Sequence, residues 1–220
     1  MAAAAALAWP VVLRYAGAVL AMTSGLDTTV PNMARIYSYW LGGKDHFAAD
    51  RAEAMRLVEL YPPLPALVRE NRAFLIEAVG WAARQGIGQF IDLGAGLPAA
   101  PSVHQAARAV RPAARVAYVD IDPVVLAHAV ALLATDDGVT AVGADLRAPA
   151  AVLGHPDLRA VIDPTTAICV ILGAVLHFLD PDAACAVTAG YVSLLAPGSC
   201  LVLSCARFED EELAKQLAAE

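Results

Sequence analysis

Short apolar runs alternate with longer amphipathic stretches through the second half of the chain. Such runs are typical of buried strands, and we predict five of them, at about 88–93, 115–120, 139–143, 167–173 and 199–205. We predict helices between them at about 101–110, 123–134 and 181–195, with a less regular segment at about 146–163. This alternation predicts an α/β fold, with a mostly parallel sheet, right-handed crossovers and helices on both faces.

Three further helices are predicted before the first strand, at about 32–41, 46–60 and 64–85. In the third, we expect the apolar residues to face inward, namely Leu67, Phe74, Leu75, Val79 and Trp81. The charged residues of the same helix are expected to form its solvated face, namely Arg69, Glu70, Arg72 and Glu77. We interpret residues 22–87 as an N-terminal helical cap and residues 88–220 as the α/β core, which ends in a helix at about 209–220.

The first 21 residues are rich in alanine and apolar. Arg14 interrupts them before they reach the roughly 18–20 residues that a membrane span needs, and the positively charged start of a secretory signal is absent. We therefore expect no membrane association. Our hypothesis is that residues 1–21 are a dispensable extension and that Met22 is an alternative translation start.

Composition narrows the class of protein. The chain is 59% hydrophobic with a formal net charge of -7, so it offers no general basic field, and nucleic acid is not an expected partner. Its four cysteines form no CxxC pair and have no histidine cluster beside them, which indicates reduced thiols and no metal site. Without a disulfide framework, the cytoplasm is the expected compartment.

The segment Phe90–Pro98 carries the strongest chemical signal. A strand ends in Asp92 and breaks into Gly94-Ala95-Gly96, a turn at which the backbone approaches a ligand closely. The third glycine of the dinucleotide fingerprint is missing, which disfavours NAD. A carboxylate at this point would repel phosphates but suits the ammonium group of S-adenosylmethionine.

Two more acids follow predicted strands. Asp120 ends the second strand, where an acid accepts hydrogen bonds from ribose hydroxyls in both NAD and S-adenosylmethionine sites. Asp145 follows the third strand and can reach an adenine amino group. Ile121 and Leu146 stand directly after these acids, and we include both among the cofactor-binding residues. Since the carboxyl ends of parallel strands lie at one edge, the three acids predict one site.

The chain also resembles a known family, the bacterial S-adenosylmethionine-dependent methyltransferases of largely unknown function. The resemblance rests on PNMARIYSYWLGGKDHFAADR, FIDLGAGLP, YVDIDPVVLAHA, GADLR and VILGAVLHFLD, and it runs from about residue 27 to about residue 205. It implies a class I, Rossmann-like methyltransferase fold. It also implies that Asp92, Gly94 and Gly96 surround the methionine end of the cofactor, with Asp120 on the ribose and Asp145 on the adenine. No methyl acceptor is implied.

Two departures from that family stand out. Class I domains normally continue into further strands that end in an antiparallel hairpin, so we interpret the core as incomplete at its C-terminus. An exposed sheet edge of that kind would favour aggregation and would put activity in doubt. The family also usually has an acid at the position of Ser38.

The segment 32–45 is unusually rich in aromatic and charged residues. We interpret it as a lid with Gly42-Gly43 as its joint, or else as a helix that packs its aromatic residues on the domain. Tyr37 and Tyr39 are candidate walls of the acceptor pocket. Either Arg35 or Lys44 can grip the cofactor carboxylate; we assign Arg35 to the cofactor and Lys44 to the substrate side, with a solvated charge as the alternative for both.

His177, which follows the fourth predicted strand, is our candidate general base. The alternative is a structural hydrogen bond. The function predicted from the sequence is methyl transfer from S-adenosylmethionine to a small-molecule acceptor, with secondary metabolism suggested by the family alone. An NAD(P)-binding Rossmann oxidoreductase and a non-catalytic cofactor-binding or scaffold protein are the alternatives, and the oligomeric state stays open.

Overall fold

The computed structural model describes residues 27–207 and Leu217. The predicted extension at residues 1–21 lies outside the described residues. So does the final helix predicted at 209–220, except for Leu217, which is helical and buried.

Three helices precede the first strand: α1 (Met33–Trp40), α2 (Ala48–Leu60) and α3 (Leu64–Arg84). Strands and helices then alternate as β1 (Gln89–Leu93), α4 (Val103–Arg108), β2 (Arg115–Asp120), α5 (Pro123–Leu132) and β3 (Val139–Gly143). The remaining elements are α6 (Pro149–Gly154), α7 (Pro156–Arg159), β4 (Cys169–Gly173), a 3-10 turn (Leu176–Phe178), α8 (Pro181–Leu194) and β5 (Cys200–Ser204). The five predicted strands are thus confirmed, and the segment 146–163 contains two short helices.

The strands form one sheet in the order β3-β2-β1-β4-β5, and every neighbouring pair is parallel. Alternate residues of each strand face opposite sides. Phe90 lies in the hydrophobic cluster against α3 and α4, whereas Ile91 lies in the cluster on the other face, with Val152 of α6 and Tyr191 of α8. Full burial of a side chain such as Phe90 contributes roughly 1.5–3 kcal/mol. The predicted α/β fold with helices on both faces is confirmed.

Side-chain caps fix where several helices begin. Asn32 accepts a hydrogen bond from Arg35 N–H at the start of α1, and Asp180 accepts one from Ala183 N–H at the start of α8. Ser102 forms a reciprocal capping box with Gln105 before α4. Since the first N–H groups of a helix lack partners within the helix, such caps decide its first residue.

Helix α3 corrects one prediction. Leu75 and Val79 are buried as expected, but Leu67, Phe74 and Trp81 are about half exposed, at 49%, 48% and 51%. Each of the three stands one residue away from a buried position, and one residue turns the side chain by about 100° around the helix. The buried stripe is therefore narrower than the apolar residues of the sequence indicate.

Helices α1, α2 and the start of α3 share a separate hydrophobic cluster. Ile36, Trp40, Leu57 and Val68 lie in it, and Leu217 joins them. Later residues of α3 belong instead to the sheet, so this helix connects the cap region to the core, and the division at residue 87 stays a prediction. None of the helices in the described part of the chain combines the length and the apolarity that crossing a bilayer requires.

Candidate functional site

The turn after β1 is hydrogen-bonded to the end of β2. The N–H groups of Gly94 and Ala95 donate to the carbonyl oxygen of Val119 at 2.8 and 3.2 Å. The next N–H, that of Gly96, donates to the carboxylate of Asp120 at 3.0 Å. Three consecutive N–H groups are therefore directed at the neighbouring strand.

This geometry separates the two cofactor classes considered above. A dinucleotide-binding turn directs free N–H groups at a pyrophosphate. Here those groups already have acceptors, and two carboxylates, Asp92 and Asp120, end the adjacent strands. The position therefore favours a ligand with a cationic group over one with phosphates.

The two glycines of the turn serve different purposes. Both have left-handed φ angles, +69° at Gly94 and +64° at Gly96, which side chains rarely tolerate. A Cβ at Gly94 would lie 2.6 Å from Val175 Cγ2, in the segment after β4. A Cβ at Gly96 would meet nothing within 4 Å, so open space adjoins the backbone there.

Asp92 is buried and unpaired. Asp92 is 8% exposed. It pairs with Tyr118 and Ile171 in the sheet, so its side chain lies on the face that packs against α3 and α4. Within residues 27–207 its carboxylate has no hydrogen-bond or ion-pair partner. Burial raises its pKa to about 7, the charge of Arg72 opposes that rise and the charge of Asp120 adds to it.

Asp120 is held by backbone donors. Its Oδ1 accepts from Asp122 N–H at 3.0 Å and its Oδ2 from Gly96 N–H at 3.0 Å. Burial raises its pKa, and these two bonds lower it. Each oxygen retains acceptor capacity for a ligand hydroxyl. Ile121 beside it is 45% exposed, and Asp122 caps α5 through Val124 N–H, as predicted.

Asp145 has a partner that sequence reasoning did not foresee. Both of its oxygens accept hydrogen bonds from the Arg147 side chain, at 2.6–2.9 Å, and this bonding lowers the pKa of the carboxyl. An adenine amino group would have to share these oxygens. Leu146 packs with the cluster on the α6 and α8 face of the sheet and approaches the position of the Gly94 Cβ at 3.7 Å.

Arg35 is buried, which makes the solvated-charge interpretation of this residue wrong. Its Nε donates to Asp50 at 2.8 Å and its Nη2 to Val30 O at 2.7 Å, and the guanidinium lies over the Phe47 ring. The partner Asp50 is fully buried. Arg35 therefore joins α1 to α2 by a buried ion pair, and its role toward a cofactor stays a prediction.

Of the other residues of the predicted lid, two pack against the cap cluster and one is exposed. Tyr37 and Tyr39 pack partly buried against the cap cluster; the Tyr37 hydroxyl donates to Val68 O at 3.3 Å and accepts from Asn71 Nδ2 at 2.9 Å. Lys44 is exposed. Their roles toward a substrate stay predictions.

The two glycines that we interpret as a joint form the C-terminal cap of α1. Gly42 N–H donates to Tyr39 O at 3.0 Å and Gly43 N–H to Ser38 O at 2.8 Å, with Gly42 at φ +86°. This is the Schellman arrangement, which satisfies the last carbonyls of a helix. A Cβ at Gly43 would collide with the Ser38 hydroxyl at 2.1 Å.

His177 lies in the 3-10 turn after β4. Its Nδ1 accepts a long hydrogen bond, 3.4 Å, from Ala206 N–H, and burial lowers the pKa of the ring to about 4. A neutral ring with Nδ1 as acceptor carries its proton on Nε2. The lone pair that a base needs is then bound to Ala206, so the geometry favours the structural alternative; the catalytic role stays a prediction.

The segment between β4 and that turn contains a further irregularity. Ala174 adopts a left-handed φ of +54°, and its N–H donates to both the carbonyl and the hydroxyl of Ser204 in β5. A left-handed residue other than glycine costs roughly 1–2 kcal/mol. The strain sets the path of the chain into Val175, which lies against Gly94.

Arg72 is the residue that sequence reasoning missed. It is partly exposed rather than free in solvent: its Nη2 donates to Ala99 O at 2.9 Å and also to Pro101 O, and its Nε is buried without a partner. No local pattern distinguishes it from Arg69 one turn earlier. It also lines an open groove of about 370 Å³ formed mainly by Leu41, Arg69, Ile76, Glu77 and Pro101, to which no strand end contributes.

The residues at the carboxyl edge of the sheet suit S-adenosylmethionine in their charge and in the space that they leave open. A buried carboxylate lacks a partner, open space adjoins Gly96, and a second carboxylate with free acceptor capacity stands one strand away. Within the described residues, no cluster of three or more His, Cys, Asp or Glu side chains is arranged to hold a metal ion.

Comparison with known proteins gives a consistent result. A family model described as S-adenosyl methyltransferase matches residues 19–220. The crystal structure of a candidate methyltransferase from Thermobifida fusca YX is similar at 42% identity and a TM-score of 0.83, over 90% of this chain and 75% of that one.

A second solved structure is similar over most of the chain. It is a DUF574 family protein from Streptomyces avermitilis MA-4680, with 38% identity and a TM-score of 0.76, over 80% of this chain and 69% of that one. No curated protein matches the sequence.

Proposed function

The chain belongs to the S-adenosyl methyltransferase family, and we propose that it binds S-adenosylmethionine at the carboxyl edge of its sheet and methylates a small-molecule acceptor. The observation that supports this site best is the turn Gly94-Ala95-Gly96, whose N–H groups are bound to the end of β2. With no free N–H groups and two adjacent acids, it suits a cationic nucleoside.

Each end of the cofactor has a candidate partner in this chain. Asp120 accepts the ribose hydroxyls with the acceptor capacity that its two backbone bonds leave free. Asp92 accepts the ammonium group, because a buried carboxylate without a partner is stabilised by an opposite charge. Ile121 and Leu146 provide apolar contact for the adenine, and Asp145 binds its amino group in competition with Arg147.

The bound cofactor would supply a methyl group on a sulfonium, already activated for in-line displacement. The protein's task is then to hold the acceptor in line and to keep water away, effects that together are worth roughly 7–11 kcal/mol. Val175 lies against the glycine turn, and the left-handed backbone at Ala174 precedes it, so both constrain the space beside that turn. Because His177 Nδ1 is bound to Ala206 N–H, we favour water as the group that takes the proton of an acceptor that must lose one.

A small molecule is the acceptor class that we favour. The net charge of -7 does not attract nucleic acid, and in the described residues the edge of the sheet carries carboxylates rather than a basic stripe. The four cysteines are free thiols, which supports action in the reducing cytoplasm.

Calorimetric titration tests this proposal directly. The purified chain is expected to bind S-adenosylhomocysteine, the product form of the cofactor, and not NADH. Mass spectrometry of the ligand that co-purifies with the protein provides an independent check. Binding of NADH without binding of S-adenosylhomocysteine would contradict the proposal.

A further inference from the structure

We propose that Arg72 binds the carboxylate of the cofactor's methionine moiety, opposite Asp92, so that the two side chains form a clamp for a zwitterionic amino acid. The inference rests on the proposed function and specifies one subsite within it. It assigns a binding role to a residue on α3, outside every segment that carries the family resemblance.

The guanidinium of Arg72 is fixed in position. Its Nη2 is bound to the carbonyl oxygens of Ala99 and Pro101, which follow the glycine turn in the sequence. These bonds hold the side chain across the gap between α3 and the segment after β1. Because both hydrogens of Nη2 are taken by these carbonyls, Nη1 is the donor that remains for a carboxylate, and it is held in a fixed position.

One donor of that guanidinium has no acceptor. Arg72 Nε is buried and makes no hydrogen bond in the described structure. An unsatisfied buried donor on a charged group costs free energy, and a carboxylate bound at the neighbouring Nη1 would offset part of this cost by compensating the charge of the guanidinium.

Asp92 is the corresponding anion without a partner in the described residues. It is buried, and Arg72 is the positive charge that acts on it. Yet in the described residues the two are not joined by an ion pair, which requires an N–O distance within 4.0 Å. Arg72 is only partly buried, and without a direct ion pair the buried carboxylate of Asp92 has no cation in contact with it. An amino-acid zwitterion, with its ammonium and carboxylate on one carbon, compensates both.

The other polar groups around Asp92 already have partners. The Tyr37 hydroxyl is bound to Val68 and Asn71. The Tyr118 hydroxyl accepts from His104 N–H at 3.0 Å and contacts the His104 ring. The charges of Asp92 and Arg72 both act on the pKa values of these two tyrosines.

Other cations of the N-terminal region are less suited to this role. Arg35 also has a buried donor without a partner, Nη1, but its charge is compensated by the ion pair with Asp50, and its Nη2 is bound to Val30 O. Arg69, one turn before Arg72 on α3, is exposed. Arg69 is therefore a matched control, because it has the same charge and lies on the same helix and beside the same groove.

The test uses two ligands that differ only in the carboxylate: S-adenosylhomocysteine and its decarboxylated analogue, in which an aminopropyl chain replaces the amino acid. Calorimetry measures both against the wild type, Arg72→Met and Arg69→Met. We expect the wild type to prefer S-adenosylhomocysteine by roughly 10- to 100-fold, the value of hydrogen bonds to a charged group. Arg72→Met should abolish this preference and leave the affinity of the analogue unchanged, whereas Arg69→Met should behave as the wild type.

The alternative is that Arg72 only fastens α3 to the segment after β1. In that case Arg72→Met would weaken both ligands equally or neither, and the clamp would be wrong. If Arg72→Met does not fold, the affinities for the two ligands are compared in the wild type and in Arg72→Lys instead. Equal affinity of the wild type for the two ligands overturns the clamp. A wild type that binds S-adenosylhomocysteine but shows no carboxylate preference leaves the proposed function intact, whereas one that binds neither ligand removes both.

Discussion

The backbone N–H of Gly96 donates a 3.0 Å hydrogen bond to the side chain of Asp120. Together with the bonds from Gly94 and Ala95 N–H to Val119 O, it joins the turn after β1 to the end of β2. It opposes the rise that burial causes in the pKa of this carboxyl and directs Oδ2 at the turn, while each oxygen still has room for one more donor.

We expect Asp120→Asn to weaken S-adenosylhomocysteine binding by about 1–3 kcal/mol, because ribose hydroxyls would lose a charged acceptor. Isothermal titration measures the change. Asp137→Asn, at an exposed acid in the loop before β3, is the control and should bind as the wild type. Unchanged affinity in Asp120→Asn would exclude this carboxylate from the site.

Alanine at the two glycines of the turn should give different defects. Gly94→Ala places a Cβ 2.6 Å from Val175 Cγ2 at a left-handed φ, and we expect it to destabilise the fold by roughly 1–3 kcal/mol through overpacking and by about 1–2 kcal/mol more through backbone strain. Gly96→Ala meets no atom within 4 Å; it costs about 1–2 kcal/mol in backbone strain and should also weaken cofactor binding by filling the open space. Thermal melts and titrations of both variants separate the effects, and equal binding losses per folded molecule would argue against a cofactor beside Gly96.

Asp92 should make stability fall as the pH rises. Its pKa is raised from 3.8 to about 7 in the fold, so the folded state binds more protons than the unfolded state between these values. Its contribution to the free energy of unfolding is therefore lost between about pH 4 and pH 7, by up to about 4 kcal/mol.

Asp92→Asn removes this dependence. Urea denaturation at several pH values should show the variant gaining stability relative to the wild type across that window, with a plateau above it. Asp120, whose pKa is also raised, acts in the same direction, and His104 and His177, with lowered pKa values, act oppositely. The difference between the two proteins cancels the contributions of the two histidines, whereas Asp120 interacts with Asp92 and changes with it in the same direction. A difference that is constant with pH would contradict the prediction.

Two variants of His177 distinguish a base from a structural acceptor. Asparagine places an amide oxygen near the position of Nδ1 and can still accept from Ala206 N–H, whereas alanine cannot. We expect His177→Asn to retain most of the methyl-transfer rate and His177→Ala to lose about 0.5–1.5 kcal/mol of stability, the value of one hydrogen bond. Single-turnover kinetics and denaturation measure these quantities. A similar, large loss of rate in both variants would restore His177 as the base.

Arg35→Met should destabilise the fold by about 3–5 kcal/mol, because it leaves the buried Asp50 carboxylate without its ion-pair partner. Arg51→Met, at an exposed arginine of α2, is the control and should cost less than about 0.5 kcal/mol. Chemical denaturation gives both values. If Arg35→Met instead left stability intact and weakened S-adenosylhomocysteine binding, Arg35 would be a cofactor residue, as the sequence suggested.

Local sequence predicted the sheet and the placement of its acids because both depend on short-range patterns. The end of β2 at Asp120 follows from an apolar run and a following Asp-Pro, and the cap at Asp122 follows from the same residues. Arg72 and Arg35 were not predictable in this way, since their partners lie 27 and 15 positions away. The half-exposed Phe74 and Trp81 were misplaced because an apolar residue beside the buried stripe of a helix looks like part of it.

The Asn32 side chain donates to one oxygen of Asp122 at 2.9 Å, while the other oxygen caps α5. One carboxylate thus attaches the first described helix and the helix after β2 to a common point, two residues from Asp120. A chimera that carries the N-terminal helices on another methyltransferase core would therefore need an acid at the position of Asp122 in the recipient. Transplanting the helices alone would leave Asn32 without its anchor.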